Sequence, residues 1–153
     1  MSLNILRVYV ENSVIGGCFD EEFQEPTRKL FELFRSVVYK PVISSHVHEE
    51  LDDGAPNHVK DVLNSIIYEK INLSEEMILL AEKYLQQKIV TQKYRGDALH
   101  IAIATISQVD ILVSWNCRHI VNLNKIRLFN AVNLMEGYKL LEIRTPKEII
   151  NYE

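Results

Sequence analysis

Short apolar runs rich in β-branched residues, each too brief to make a helix, constrain this chain more than any other feature. Ile5 to Val10 is one such run, and Val109 to Ser114 is the clearest. Runs of this length and composition read as buried strands. Pro41 to Ser44 reads as a brief second strand, Lys70 to Leu73 as a weak one and Leu140 to Arg144 as a late one. Helical spacing fills the intervals. Leu30, Phe31, Leu33, Phe34 and Val37 follow it within Pro26 to Val37. Ser45 is placed to cap a helix carrying His46 to Leu51. Gly54 and Pro56 interrupt, and Asn57 to Ile67 reads as helical. Ser74, Glu75 and Glu76 complement free backbone N–H groups and start a helix that runs towards Lys88. Asp97 to Ser107 sets Ala98, Ile101, Ala102 and Thr105 on one stripe. Gly16-Gly17 reads as a turn and Arg118 to Lys125 as a short helix. Thr145-Pro146-Lys147-Glu148 has a capping hydroxyl, Pro at the first helical position and Glu at the third. Strands alternating with helices imply an α/β fold with a central parallel sheet covered on both faces. Such sheets take ligands at the carboxyl ends of their strands, near a topological switch point.

A chain of 153 residues suits a single domain, residues 1–153. Met1 to Leu3 reads equally as a native start or a remnant of cloning. No apolar run reaches 18 residues, and the first residues lack a charged stretch followed by an apolar one. The expectation is therefore a cytoplasmic protein with no membrane span and no signal peptide. Its two cysteines, Cys18 and Cys117, read as reduced packing residues. The net charge of -4 is awkward for a nucleic-acid enzyme, since phosphate binding is dominated by Lys and Arg. Either bound cations neutralise an acidic cluster, or the chain does not bind nucleic acid. No G-x-G-x-x-G or G-x-x-x-x-G-K-[ST] is present, so nucleotide-cofactor and NTPase readings lose support.

Several acidic or amide residues follow strand ends. Glu11 follows Val10, Glu49 and Glu50 come soon after the second strand, Asp97 opens a helix, and Asn116 follows the Val109 to Trp115 stretch. Ionised carboxylates gathered in one cleft need a cation, and oxygen ligands suit Mg²⁺ or Mn²⁺. The plainer reading is that these residues cap helices.

A family resemblance rests on four stretches. Val8-Tyr9-Val10-Glu11-Asn12-Ser13-Val14-Ile15 resembles the opening of PIN domains, a strand followed by Asp-Thr-Ser or similar. Ile43-Ser44-Ser45-His46-Val47-His48-Glu49-Glu50-Leu51 resembles their second motif. Asp97-Ala98-Leu99-His100-Ile101-Ala102-Ile103-Ala104 resembles the third, and Asp110-Ile111-Leu112-Val113-Ser114-Trp115-Asn116 the fourth. The resemblance implies a PIN-like α/β/α sandwich and a catalytic metal set of Glu11, Glu50, Asp97 and Asn116, supported by Ser13. Glu11 stands where the family normally has Asp, and Asn116 is neutral, so the set carries less charge than usual. Small PIN proteins resemble VapC-type toxins. The resemblance therefore implies a Mg²⁺- or Mn²⁺-dependent endoribonuclease that leaves 5′-phosphate and 3′-hydroxyl ends. It also implies an RNA substrate, a homodimer and inhibition by a small antitoxin.

Other residues have competing readings. His46 and His48 are two apart and diverge on a helix, which makes them a poor ligand pair. Glu49 beside Glu50 points about 100° away. His100 reads as a packed or bonded helix residue, and His119 as a cap or a phosphate contact. Trp115 reads as core or as a base-stacking platform. Lys93, Arg95, Arg118, Lys125 and Arg127 flank the proposed cleft, with Arg95, Arg118 and His119 the foremost RNA contacts, or else plain solvated surface. Two further functions compete with the nuclease. One is a PIN-fold module that binds RNA or protein through a weakened site. The other is a generic α/β domain whose carboxylates only cap helices.

Overall fold

The structure is a computed structural model that describes residues 4–150. The first three residues, where a native start and a cloning remnant compete, lie outside the described residues. Five strands, β1 Leu6–Val10, β2 Tyr39–Ser44, β3 Glu69–Ile71, β4 Ile111–Val113 and β5 Glu142–Arg144, form one sheet in the order β3-β2-β1-β4-β5. Every pairing is parallel. Successive strand residues point to opposite faces. Val8, Tyr9 and Val10 are all fully buried, as are Val42 with Ile43 and Leu112 with Val113, so both faces of the sheet are covered.

The helices are α1 Asn12–Gly17, α2 Gln24–Arg35, α3 Ser45–Asp52, α4 Asn57–Lys60, α5 Glu75–Gln86, α6 Arg95–Ile106, α7 Leu123–Met135 and α8 Pro146–Ile149. Right-handed crossovers sort them by direction of travel. The β1-to-β3 path steps one way and carries α1 to α4, which pack on one another. The return to β4 and β5 steps the other way and carries α5, α6 and α7, which form a second packed group. The direction of travel reverses between β1 and β4, so the carboxyl ends of those two strands meet at the switch point. Among the described residues no helix is long and apolar enough to cross a membrane.

Local details correct several expectations. Gly16-Gly17 is the last turn of α1 rather than a free turn. A Cβ at Gly17 would come within 2.9 Å of both Thr27 Oγ1 and Trp115 Nε1, so glycine there permits a close approach. The cap of α3 is Ser44, whose hydroxyl accepts the Val47 N–H; the Ser45 hydroxyl instead accepts the Leu73 N–H. The expected Asn57 to Ile67 helix is one short turn followed by a 3₁₀ segment, Asp61–Ser65. The segment expected as a helix at Arg118 to Lys125 begins as a turn, and α7 starts only at Leu123. The capping box at Thr145 and Glu148 is present.

Helices α2, α5, α6 and α7 end alike. The residue after the cap takes a left-handed conformation, at Val37, Lys88, Gln108 and Gly137. Each end also makes the paired backbone bonds that close a Schellman motif, as in Val37 N–H to Phe34 O and Val38 N–H to Leu33 O. Three of the four lack the glycine that favours this conformation.

Candidate metal and active site

The site begins where β1 stops. The Glu11 N–H donates to Val113 O at 3.2 Å, which ties the ends of β1 and β4 together. Glu11 is the cap of α1, with Oε2 accepting the Ser13 N–H at 2.9 Å. Its Oε1 accepts the Ser13 hydroxyl at 2.6 Å and also the Ser114 hydroxyl. Glu11 is only 6% exposed. Each carboxylate oxygen has two lone-pair positions. Three of the four on Glu11 are therefore used, and one on Oε2 is open to a further partner. Ser13, the residue expected to support the site, bonds to Glu11 through both its N–H and its hydroxyl. Its hydroxyl also accepts the Trp115 N–H at 2.8 Å, while Ser114 Oγ accepts the Asn116 N–H at 2.9 Å. This serine pair joins the exits of both strands.

Asp97 stands in the first turn of α6, where the helix dipole favours its charge. Burial nevertheless raises its carboxyl, the charge on Glu11 raises it further, and these outweigh the lowering by His100, His119 and an Asn116 hydrogen bond. Two carboxylates from distant parts of the chain thus share one field. Asn116 Oδ1 also accepts the His119 N–H at 3.0 Å, so this residue holds both Asp97 and the turn after β4. His119 Nδ1 lies 3.2 Å from Asp97 Oδ2, and its ring packs on Tyr94 with centroids 3.8 Å apart. Lys93 lies over the other partner of that pair, 5.5 Å from the Tyr94 centroid.

Glu50 reaches this group through histidine. His100 Nε2 lies 2.6 Å from Glu50 Oε1, and His46 Nε2 lies 3.7 Å from Oε2. Burial raises the Glu50 carboxyl, but the His100 hydrogen bond and the two imidazole charges outweigh it and hold the carboxyl below its usual range. His100 is the converse case. Burial lowers it, yet the Glu50 bond and the charges of Glu11, Glu50 and Asp97 raise it above the usual value for histidine. A buried imidazole therefore sits among three carboxylates. Its Nδ1 is 2.6 Å from the Tyr9 hydroxyl, which is in turn 2.8 Å from Ser44 Oγ. His46 is lowered, first by burial and then by the charge of His100, and bonds to Gly96 O at 3.2 Å.

Sequence reasoning had set His46 and His100 aside. The signal for His46 was its spacing to Glu50, four residues apart and so on one helix face. His100 follows Asp97 by three and shares its face in the same way. The outlying candidates divide. The Arg95 guanidinium is paired with Glu82 at 2.7 Å. Arg118 is exposed in the turn after β4, and Glu49 is exposed. His48 bonds to the Tyr68 hydroxyl at 3.1 Å, away from the cluster. Trp115 is half-buried, stacked on Phe23 with centroids 4.4 Å apart, and donates to Thr27 Oγ1. Both cysteines are free, but Cys117 is exposed, which corrects its reading as a packing residue.

The donor chemistry fits a hard divalent cation at Glu11 and Asp97. One carboxylate keeps an open lone pair, and the other is raised first by burial and then by its neighbour's charge, and oxygen donors of this kind suit such a cation.

No family model matches the sequence, and no curated protein sequence matches it either. Solved structures do. The structure described as VapBC2 from Rickettsia felis bound to a DNA fragment from their promoter aligns over 92% of this chain and 98% of that one, with a TM-score of 0.56 and 16% identity. A toxin–antitoxin complex from Klebsiella pneumoniae aligns over 77% of this chain and 93% of that one, with a TM-score of 0.55 and 13% identity. At such identities the likeness is one of fold.

Proposed function

The chain has a PIN-like fold, and from that premise we propose that it is a divalent-metal-dependent endoribonuclease, the toxin of a toxin–antitoxin pair. One observation supports the reading best: Glu11 is held at the paired exits of β1 and β4 by the Ser13 and Ser114 hydroxyls with one carboxylate lone pair left open. When bound there, Mg²⁺ or Mn²⁺ supplies positive charge to a phosphoryl oxygen and lowers the pKa of water. The chain's own residues set the stage. Ser13 and Ser114 hold Glu11 in place, and Asn116 orients Asp97. His119 beside Asp97, Lys93 over the Tyr94 ring that His119 packs on, and the exposed Arg118 would be the contacts to a phosphate backbone. Water adds to phosphorus as the bond to the 3′ oxygen breaks, so the products carry a 5′-phosphate and a 3′-hydroxyl. The partners of such a toxin are RNA, a small antitoxin and a second copy of the chain.

A second reading, an RNA- or protein-binding module that does not cut, has its own support. Glu50 is already engaged by His100, Asn116 is neutral, and most of Glu11's lone pairs are used. Incubation with structured and unstructured RNAs in Mg²⁺, Mn²⁺ or EDTA separates the two. The nuclease reading expects cleavage in metal, none in EDTA and none by Asp97→Asn. Binding of RNA without cleavage in any metal would favour the module.

A further inference from the structure

We propose that His46, Glu50 and His100 form a transition-metal site, distinct in ligand chemistry from the carboxylate pair at Glu11 and Asp97. The inference deepens the reading above and rests on it only for the neighbouring carboxylate site. One ligand atom from each of the three residues lies within 4.8 Å of the others. Two of the pairs are closer still, at 2.6 and 3.7 Å. Ligands of a four-coordinate ion bound at about 2.1 Å sit a little over 3 Å apart, so small side-chain rotations complete the set. Glu50, 38% exposed, is free to make them.

Three features separate this cluster from a plain ion pair between helices. First, its donors are two imidazole nitrogens and one carboxylate, which suit Zn²⁺, Co²⁺ or Mn²⁺ and suit Mg²⁺ poorly. Second, His100 is oriented from behind. Its far nitrogen is held by Tyr9, which is held by Ser44, the outer-shell support that metal-binding histidines require. Third, two of the three ligands, His46 and Glu50, face an open cavity, with His100 buried behind them. A cleft of about 620 Å³ is lined by His46, Glu50, Glu49, Asp52, Asp53 and Arg95, the last paired with Glu82, so the lining is net acidic and a water or phosphate oxygen can take the remaining position. Gly96 closes the opposite side. A Cβ there would lie 3.1 Å from Glu50 Oε2 and 3.7 Å from His46 Nε2, so the backbone of α6 packs close against the cluster.

The test uses untagged, EDTA-stripped full chain. Co²⁺ is titrated and followed by visible absorption, and Zn²⁺ by calorimetry and by the thermal midpoint. The wild type is expected to bind Co²⁺ in a low-coordinate, intensely coloured form. Excess Mg²⁺ is expected not to displace it. His46→Gln and Glu50→Gln are expected to weaken binding by roughly 100-fold or more. Because His46 is buried, the exposed Glu50 variant keeps the test valid if His46→Gln does not fold. Asp97→Asn is expected to retain the Co²⁺ spectrum. Absent Co²⁺ and Zn²⁺ binding, binding that survives both ligand variants, or binding lost in Asp97→Asn would overturn the proposal. Mg²⁺-dependent RNA cleavage without Co²⁺ binding would sink this site alone. Co²⁺ binding without any cleavage would sink the nuclease reading alone.

Discussion

His100 Nε2 lies 2.6 Å from Glu50 Oε1, a contact that joins the second turn of α6 to the end of α3 and ties one expected ligand to a buried imidazole. Glu50 is bonded to a buried histidine and not to another carboxylate. Burial and then the charge of Glu11 raise the Asp97 carboxyl, whereas Glu50 is the partner of His46 and His100.

Glu11 is structural as well as chemical. Glu11→Ala removes the α1 cap and strands the Ser13 and Ser114 hydroxyls. Losing a cap costs about 1 kcal/mol, and a buried unsatisfied group about 1–3 kcal/mol. A fall of about 2–4 kcal/mol in unfolding free energy is expected from urea titration. Glu11→Asp keeps the cap but draws back from Ser114, so a smaller fall, about 1 kcal/mol, is expected. Equal losses in the two variants would mean that the Ser114 contact contributes nothing.

Val37 holds a left-handed conformation at φ 60 while 61% exposed. A β-branched residue is strained there, at a cost of about 1–2 kcal/mol. Val37→Gly removes the strain but loosens the unfolded chain. A net gain of about 0.5–1 kcal/mol is expected from thermal or urea unfolding. A lower midpoint would show that the Val37 side chain packs usefully.

Arg7 grips Glu69 with two bonds, at 3.0 and 2.7 Å, at the far end of the sheet from the site. That hydrogen bond is the main reason the Glu69 carboxyl falls below its usual 4.5. A lowered carboxyl stabilises the fold above its unfolded pKa, and the contribution is lost as pH falls through the folded value. Melting midpoints of Glu69→Gln should thus sit below wild type at pH 6 and converge with it as pH drops below about 4. A gap that stays constant across that range would rule out the charge of Glu69 as its cause.

The two thiols should differ sharply in reactivity. Burial pushes Cys18 up to about 11, so little thiolate exists at neutral pH, while Cys117 is exposed. A disulfide reagent is expected to modify one thiol quickly in the native protein and the second only in denaturant. Cys117→Ser should abolish the fast phase.

The strands and the site were legible for different reasons. Buried parallel strands are continuous apolar runs, and Ile5 to Val10 and Val109 to Ser114 announce themselves. Helix α7 did not, because Leu123, Leu128, Leu134 and Met135 are exposed while Asn133 is fully buried, bonded to Tyr84 and Thr105. Its apolar residues therefore mark no single stripe. Helix α1 was hidden by Gly16-Gly17, a pair that reads as a turn until Trp115 is seen packed over Gly17. Glu11, Glu50, Asp97 and Asn116 could be named as a set only through the four family-like stretches, because strand-end and helix-start positions alone leave them as caps. The bond from Glu50 to His100 spans 50 residues, and no local pattern encodes it. The serine lattice that uses most of Glu11 is equally non-local, since it depends on how β1 and β4 pair.

The most direct measurement is the chemistry of the cut ends. RNA incubated with the wild type in Mg²⁺ or Mn²⁺ should yield fragments with 5′-phosphate and 3′-hydroxyl termini, read by kinase labelling and ligation. Asp97→Asn, still folded by its melting curve, should yield none. Fragments ending in a 2′,3′-cyclic phosphate, equal cleavage by the variant, or no cleavage in either metal would contradict the account.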